Sequence, residues 1–237
     1  MQLAQYLNEK RYNDFEIIET TPNYGYVRFE LMDNGEIHHD HIIFDNKTLE
    51  VTYATSEIFF MSCDSYRDLF EYKKDDLCGI IDAFGNEILP CIYSSINLDT
   101  DGASEPDEDT LILATEQDKK STLFDKNGKA VSKTYDFIDY CDYSGLFSIR
   151  QDNKYGIIDK SGTEIIKPKY NKLSFAFNCD EPIKYLMAGY DWEKKGVIDL
   201  KENVLIPFEY HTIRYLGNDT FFLITNDDKF ETIKVRV

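Results

Sequence analysis

Residues 146–170 read LFSIRQDNKYGIIDKSGTEIIKPKY. Leu146-Phe147 open an apolar run. A polar, Asx-rich break follows at Gln151-Asp152-Asn153, and Tyr155-Gly156-Ile157-Ile158 is apolar again. Two apolar runs around such a break predict a β-hairpin. Asp159-Lys160-Ser161-Gly162 then predicts a tight turn. Asp at the first position bonds the backbone two residues on, and Gly at the fourth accepts a positive φ. Glu164-Ile165-Ile166 makes a third strand. Pro168 ends it or confines it to a sheet edge, since proline has no N–H to donate. Tyr170 starts a further extended run through Leu173 and Phe175. The unit is three or four short antiparallel strands.

The same pattern recurs along the chain. Residues 68–93 (DLFEYKKDDLCGIIDAFGNEILPCIY) align with it without a gap. Leu69-Phe70 falls on Leu146-Phe147, Gly79 on Gly156, Asp82 on Asp159, Gly85 on Gly162 and Tyr93 on Tyr170, each pair 77 residues apart. A third copy turns at Asp125-Lys126-Asn127-Gly128, and its Tyr135 comes one residue early. Residues 185–210 form another copy, with Gly196, Asp199 and Pro207. A first, divergent copy turns at Asp45 and ends at Tyr53. The turn aspartates Asp45, Asp82, Asp125, Asp159 and Asp199 are spaced by 37, 43, 34 and 40 residues. Self-similarity at such a period marks a repeat architecture.

The flanks fit that scheme. Leu3, Tyr6 and Leu7 at helical spacing predict a short N-terminal helix within residues 1–14. Phe15-Ile18 and Tyr24-Leu31 read as strands, and Asp33-Asn34-Gly35 as a hairpin turn. The tail, from Phe221-Phe222 through Asn226-Asp227-Asp228 to Val237, supplies one more hairpin, without the Asp-x-x-Gly turn or a third strand. A truncated terminal unit suits capping or closure. The chain therefore reads as one all-β repeat domain. Residues 1–66 are a divergent cap and first repeat, 67–213 the clear repeats, and 214–237 a terminal half-repeat. The array forms either a propeller-like ring or an open β-superhelix.

Composition bounds the function. The 237 residues suffice for a real core, and 14% aromatic content favours strands over disorder. Asp and Glu number 44 against 26 Lys and Arg, a net charge of −18. That field disfavours nucleic acid and anionic membrane, since phosphate binding needs clustered Lys and Arg. It favours a basic partner, and it also serves solubility. The N-terminus has no basic-then-apolar signal pattern and no apolar run is long enough to span a bilayer, so a cytoplasmic location is expected. Five scattered cysteines (Cys63, Cys78, Cys91, Cys141, Cys179) form no C-x-x-C and read as reduced thiols.

No catalytic, cofactor or metal set is expected. Asp82, Asp125, Asp159 and Asp199 recur with Gly85, Gly128 and Gly162 because each opens or closes the same turn. Catalytic carboxylates need unequal settings that separate their pKa values, and equivalent copies lack that. Gly79, Gly156 and Gly196 sit inside strands, where they allow close packing. No phosphate-loop or dinucleotide fingerprint is present. His38, His39, Asp40 and His41 alternate across a strand, which leaves two candidate ligands per face and reads as a solvated face. The insertion DTDGASEPDED at 99–109 has the wrong ligand spacing for a calcium loop. A pairing of His211 with Cys141 would require a coincidence of the fold. The candidate partner-binding residues are Asp99, Asp101, Glu105, Asp107, Glu108, Asp109 and the single Trp192. Trp192 is either interior packing or a surface anchor.

The repeated pattern, clearest in KYGIIDKSGTEIIKPKY at 154–170, resembles the WG-repeat (KWG-repeat) family over residues 68–213. The Trp-Gly pair behind that name is replaced by Cys78-Gly79, Tyr155-Gly156 and Lys195-Gly196. The resemblance implies a bacterial β-repeat protein with a binding or scaffold role, and it carries no active-site residues over. Three readings follow. The first is a non-catalytic interaction module for a basic protein partner. The second is an immunity or inhibitor protein covering a basic toxin enzyme such as a nuclease. The third is an enzyme whose site is built from loops.

Overall fold

The computed structural model describes residues 1–10, 14–33, 36–56, 59–64, 68–98, 111–141, 145–176 and 183–235. Helix α1 (Leu3–Lys10) lays Leu3, Tyr6 and Leu7 on the first sheet, against Val27, Phe29, Ile42 and Phe44. That sheet is a meander of β1 (Asp14–Thr20), β2 (Tyr24–Asp33), β3 (Glu36–Asp45) and β4 (Val51–Thr55). Asp33 pairs with Glu36 across the expected hairpin. The second sheet runs β5 (Phe59–Asp64), β6 (Leu69–Lys74), β7 (Leu77–Asp82) and β8 (Glu87–Tyr93). The third has the order β11-β10-β9, from β9 (Ser95–Asn97), β10 (Ile112–Thr115) and β11 (Ser121–Phe124). The fourth is β12 (Phe137–Cys141), β13 (Leu146–Gln151), β14 (Lys154–Asp159) and β15 (Glu164–Tyr170).

The fifth sheet has six strands in sequence order. These are β16 (Lys172–Ala176), β17 (Tyr185–Gly189), β18 (Lys195–Asp199), β19 (Val204–Gly217), β20 (Thr220–Thr225) and β21 (Phe230–Lys234). Its middle strand, β19, has 14 residues. The first half of β19 pairs with β18 and the second half with β20. The terminal hairpin is therefore welded onto the repeat before it. All strand pairings are antiparallel, and no sheet among the described residues closes into a barrel.

The turns explain why these residues fold this way. In each clear copy the Asp carboxylate accepts two backbone N–H bonds. Asp159 Oδ1 takes Ser161 N at 2.8 Å and Thr163 N at 3.0 Å. Asp82, Asp125 and Asp199 do the same two and four residues on, at 2.8–2.9 Å. The fourth turn position has φ near +80° at Gly85, Gly128 and Gly162 (81°, 76° and 76°). The copy at Asp199 has no glycine there, and Glu202 adopts φ 64° instead. A Cβ on Gly162 would lie 2.2 Å from the Val131 carbonyl oxygen, so this turn also needs glycine to seat against the preceding copy.

The strand glycines share one register. Tyr155 pairs with Tyr170 and Ile157 with Ile166, so Gly156 faces a bulge that contains Pro168. Cys78/Tyr93 with Ile80/Leu89, and Lys195/Tyr210 with Val197/Ile206, repeat it around Gly79 and Gly196. A Cβ on Gly156 would come within 2.4 Å of the Ile166 carbonyl oxygen. Pro168 and Pro90 lie on the edge strands β15 and β8, where a missing N–H costs no ladder bond.

The third copy departs from the pattern. Its third strand shrinks to two bridges, Phe124 with Ala130 and Ser121 with Tyr135. One residue fewer separates Asp125 from its tyrosine, so the ends still meet while the ladder between them does not form.

The chain forms two compact units. One takes in β1 to β10 with Leu123–Ala130, and the other Lys120–Thr122 with Val131–Val237. Within the first, Phe70, Tyr72 and Ile81 pack on Tyr26 and Ile43, while Leu69, Ile80, Leu89 and Tyr93 pack on Ile112 and Ala114. Within the second, Ile157, Ile166 and Tyr170 pack on Leu173, Leu186, Ala188 and Ile198. Within each unit a sheet thus covers its apolar face with the next. Each such side chain contributes about 1.5–3 kcal/mol. No helix among the described residues is long and apolar enough to cross a membrane.

Candidate functional site

The sequence candidates divide sharply. Asp99, Asp101, Glu105, Asp107, Glu108 and Asp109 lie outside the described residues. Trp192 is described, and it is 70% exposed. Of its two expected settings, the structure shows the surface one. The turn residues Asp82, Asp125, Asp159 and Asp199 with Gly85, Gly128 and Gly162 sit in the equivalent turns given above, and Gly79, Gly156 and Gly196 at the equivalent bulges. Asp159 and Asp199 are both held below the usual carboxylate range. In both, burial pushes upward and is outweighed by donors from side chain and backbone, Ser161 and Thr163 in one case and Asn203 and Lys201 in the other.

The Trp192 loop is built on an aromatic floor. It joins β17 to β18 through residues 190–194. Asp191 Oδ1 accepts Glu193 N at 3.0 Å and Lys194 N at 2.6 Å, an Asx turn that fixes the loop. The Tyr190 ring packs, tilted, 4.8 Å from Tyr170 and 5.1 Å from Phe208, centroid to centroid. Tyr170 is buried and Tyr190 half out of the surface. The loop therefore stands on the core while Trp192 projects from it. The carboxylates of Asp191 and Glu193 flank the indole in sequence.

The histidine strand departs from the solvated face expected of it. His38 is exposed, but His41 is only 2% exposed. The Tyr26 hydroxyl lies 2.7 Å from His41 Nδ1. Burial, then His39 and Arg28, lower its pKa to about 4, so the ring is neutral at pH 7. His39 Nδ1 lies 3.9 Å from Glu30 Oε1. Among the described residues no group of three or more His, Cys, Asp or Glu side chains could hold a metal. Cys78 and Cys91 are free thiols. Burial pushes Cys78 up to about 11 and raises Cys91, so neither is a ready thiolate. The side chain of Cys141 lies outside those described, and His211 Nδ1 sits 3.0 Å from Thr212 Oγ1.

A set of clips between successive copies escaped the sequence reading. The Tyr135 hydroxyl donates to Glu164 Oε1 at 3.1 Å, and Lys133 Nζ meets the same oxygen at 2.7 Å. The Tyr170 hydroxyl lies 3.5 Å from Glu202 Oε1, which Lys169 Nζ approaches to 2.8 Å. Tyr185 with Lys184 grips Asp219, and Tyr210 donates to Glu231 at 3.2 Å. In three of these four the signal was a lysine one or two residues before the tyrosine, with an acid in the following copy; Tyr210 follows Glu209 and lacks that lysine.

The family model described as WG containing repeat matches residues 79–102, 122–155, 155–180 and 196–230, which are the copies described above. The chain belongs to the WG-repeat family. In this WG-repeat protein the tryptophan of the motif is Cys78, Tyr155 or Lys195, each paired with the tyrosine that ends its copy. No curated protein matches the sequence. Among solved structures, a eukaryotic initiation factor is 9% identical, with a TM-score of 0.37, over 82% of this chain and 54% of that one. The chain thus spans about half of that protein. BBS1N in complex with ARL6DN is 12% identical, TM-score 0.32, over 95% and 96%. Sqt1 from Chaetomium thermophilum bound to the N-terminus of ribosomal protein L10 is 9% identical, TM-score 0.32, over 94% and 71%. Similarity this low carries nothing over to this chain.

Proposed function

We propose that this WG-repeat protein is a non-catalytic interaction module that seats a basic protein partner on the Trp192 loop. The observation that carries the reading is Trp192, 70% exposed on a loop fixed by the Asp191 turn. A rigid aromatic side chain anchors an interface at low entropic cost. The net charge of −18 selects the sign of the partner, because it attracts basic surfaces over long range. The equivalence of the turn carboxylates supports the absence of catalysis.

The test is capture on the immobilised full chain from a lysate of the source organism, followed by binding measurements with the purified partner. A basic protein should be retained at about 50 mM NaCl and associate far more slowly at about 500 mM. Trp192→Ala should weaken it by at least about 30-fold, the cost of losing a hot spot of ~2 kcal/mol. An acidic partner, a salt-insensitive association rate, or unchanged affinity in Trp192→Ala would each overturn the proposal.

A further inference from the structure

A second feature lies on the fifth sheet, at the foot of the Trp192 loop, which joins Gly189 to Lys195. Lys172 on β16 pairs in register with Gly189 on β17, and Gly189 pairs with Lys195 on β18. Register partners share a face of a sheet. Two lysines therefore stand on one face, two strands apart, and the Asp191 and Lys194 carbonyl oxygens cover Gly189 between them, 2.9 and 3.0 Å from where a Cβ would lie. On the same sheet a hollow of about 180 Å³ is lined by both lysines with Ser174, Met187, Thr212 and Ile213. That space holds about six waters, or one small anion with a short organic tail.

The charges in this hollow run against the rest of the molecule. The chain carries 44 acidic residues, yet among the described residues neither Lys172 nor Lys195 forms an ion pair. Lys195 Nζ donates instead to the His211 carbonyl oxygen at 2.5 Å. Lys195 is half-buried, and burial followed by the nearby Lys172 lowers its pKa. Elsewhere in the same unit Lys133, Lys169 and Lys184 pair with carboxylates, while Lys154 donates to Asn171 Oδ1. Two unpaired cations over a cleft lined by two hydroxyls make an arrangement that an anion would complete.

We propose that this hollow binds a small phosphate monoester, held by Lys172 and Lys195. A dianion neutralises both lysines, whereas a monocarboxylate leaves one unmatched. The Ser174 and Thr212 hydroxyls donate to the remaining phosphate oxygens. Met187 and Ile213 supply an apolar wall for the organic part. The acidic field of the whole protein does not forbid this. Salt screens exposed charges beyond about 8 Å at physiological ionic strength, while the lysines act within contact distance.

The experiment is an amide NMR titration of the full chain at a pH of about 8, where a phosphate monoester is a dianion. The probes are glycerol 3-phosphate, acetate, a phosphoserine peptide, and NaCl at matched ionic strength. Glycerol 3-phosphate should give saturable shifts around Lys172, Gly189 and Thr212, and should bind at least about tenfold tighter than acetate. Lys195→Gln and Lys172→Glu should each weaken it by at least about tenfold. Lys172→Glu keeps the test open if Lys195→Gln disturbs the fold, since a glutamate there faces Lys195 and pairs with it. Linear shifts like those with NaCl, equal binding of acetate, or full affinity in Lys172→Glu would overturn the site. Tighter binding of the phosphoserine peptide would overturn the small-molecule assignment.

Discussion

Burying His41 beside Tyr26 ties one imidazole to the stability of the first unit. The folded ring takes up a proton only near pH 4, whereas an exposed histidine does so near 6.5. Between those values the unfolded chain binds more protons, so stability rises with pH. The contribution is complete above about pH 6.5 and is lost as pH falls to about 4, about 2 kcal/mol after allowance for solvent screening. Urea titrations of the wild type and His41→Gln at pH values of about 7 and 5 would read it. The wild type should lose more stability than the variant, and parallel losses would remove His41 as the cause. Asp45 and Asp159, held below the usual range, shed their contributions only at lower pH. The turn residues were legible in the sequence because their chemistry is local. A carboxylate reaching backbone N–H groups two and four residues on leaves its mark within five letters. His41 was not legible, because a strand's alternation does not say which of its faces are covered, and here Ile42 and Ile43 are both buried.

At the scale of elements, the clips join one copy to the next. Glu164 is held below the usual range, first by Lys133 and also by Tyr135, against its partial burial. Tyr135 is raised by burial and by Glu164. A double-mutant cycle of Tyr135→Phe and Glu164→Gln should show coupling of about 0.5–1.5 kcal/mol from the hydroxyl–carboxylate bond, since the pair with exposed Lys133 cancels in the cycle. Additive losses would mean the contact contributes nothing. Hairpins and repeat boundaries were readable from apolar runs and turn signals. The clips were not, since 29 residues separate Tyr135 from Glu164. Lys172 and Lys195 were hidden for a similar reason: only the register through Gly189 brings them to one face. Trp192 could not be placed from its own letters either, because its exposure follows from the Asp191 turn and the Tyr190 floor beneath it.

At the scale of the molecule, charge works against compactness. A net charge of −18 repels itself, and salt screens that repulsion. Raising NaCl from about 20 to about 300 mM should therefore raise Tm by a few degrees, because exposed pairs such as Lys169–Glu202 lose only about 0–1 kcal/mol each. A falling Tm would show that the pairs outweigh the repulsion. The strand β19 bears on how the second unit responds to force. Its 14 residues cross without a break from the β18 ladder to the β20 ladder. Tension along its axis loads both ladders in shear, so their hydrogen bonds resist together rather than opening one at a time. A partner pulling on the C-terminal hairpin would draw on the strength of the last full repeat as well, with β19 acting as the tie-rod between them.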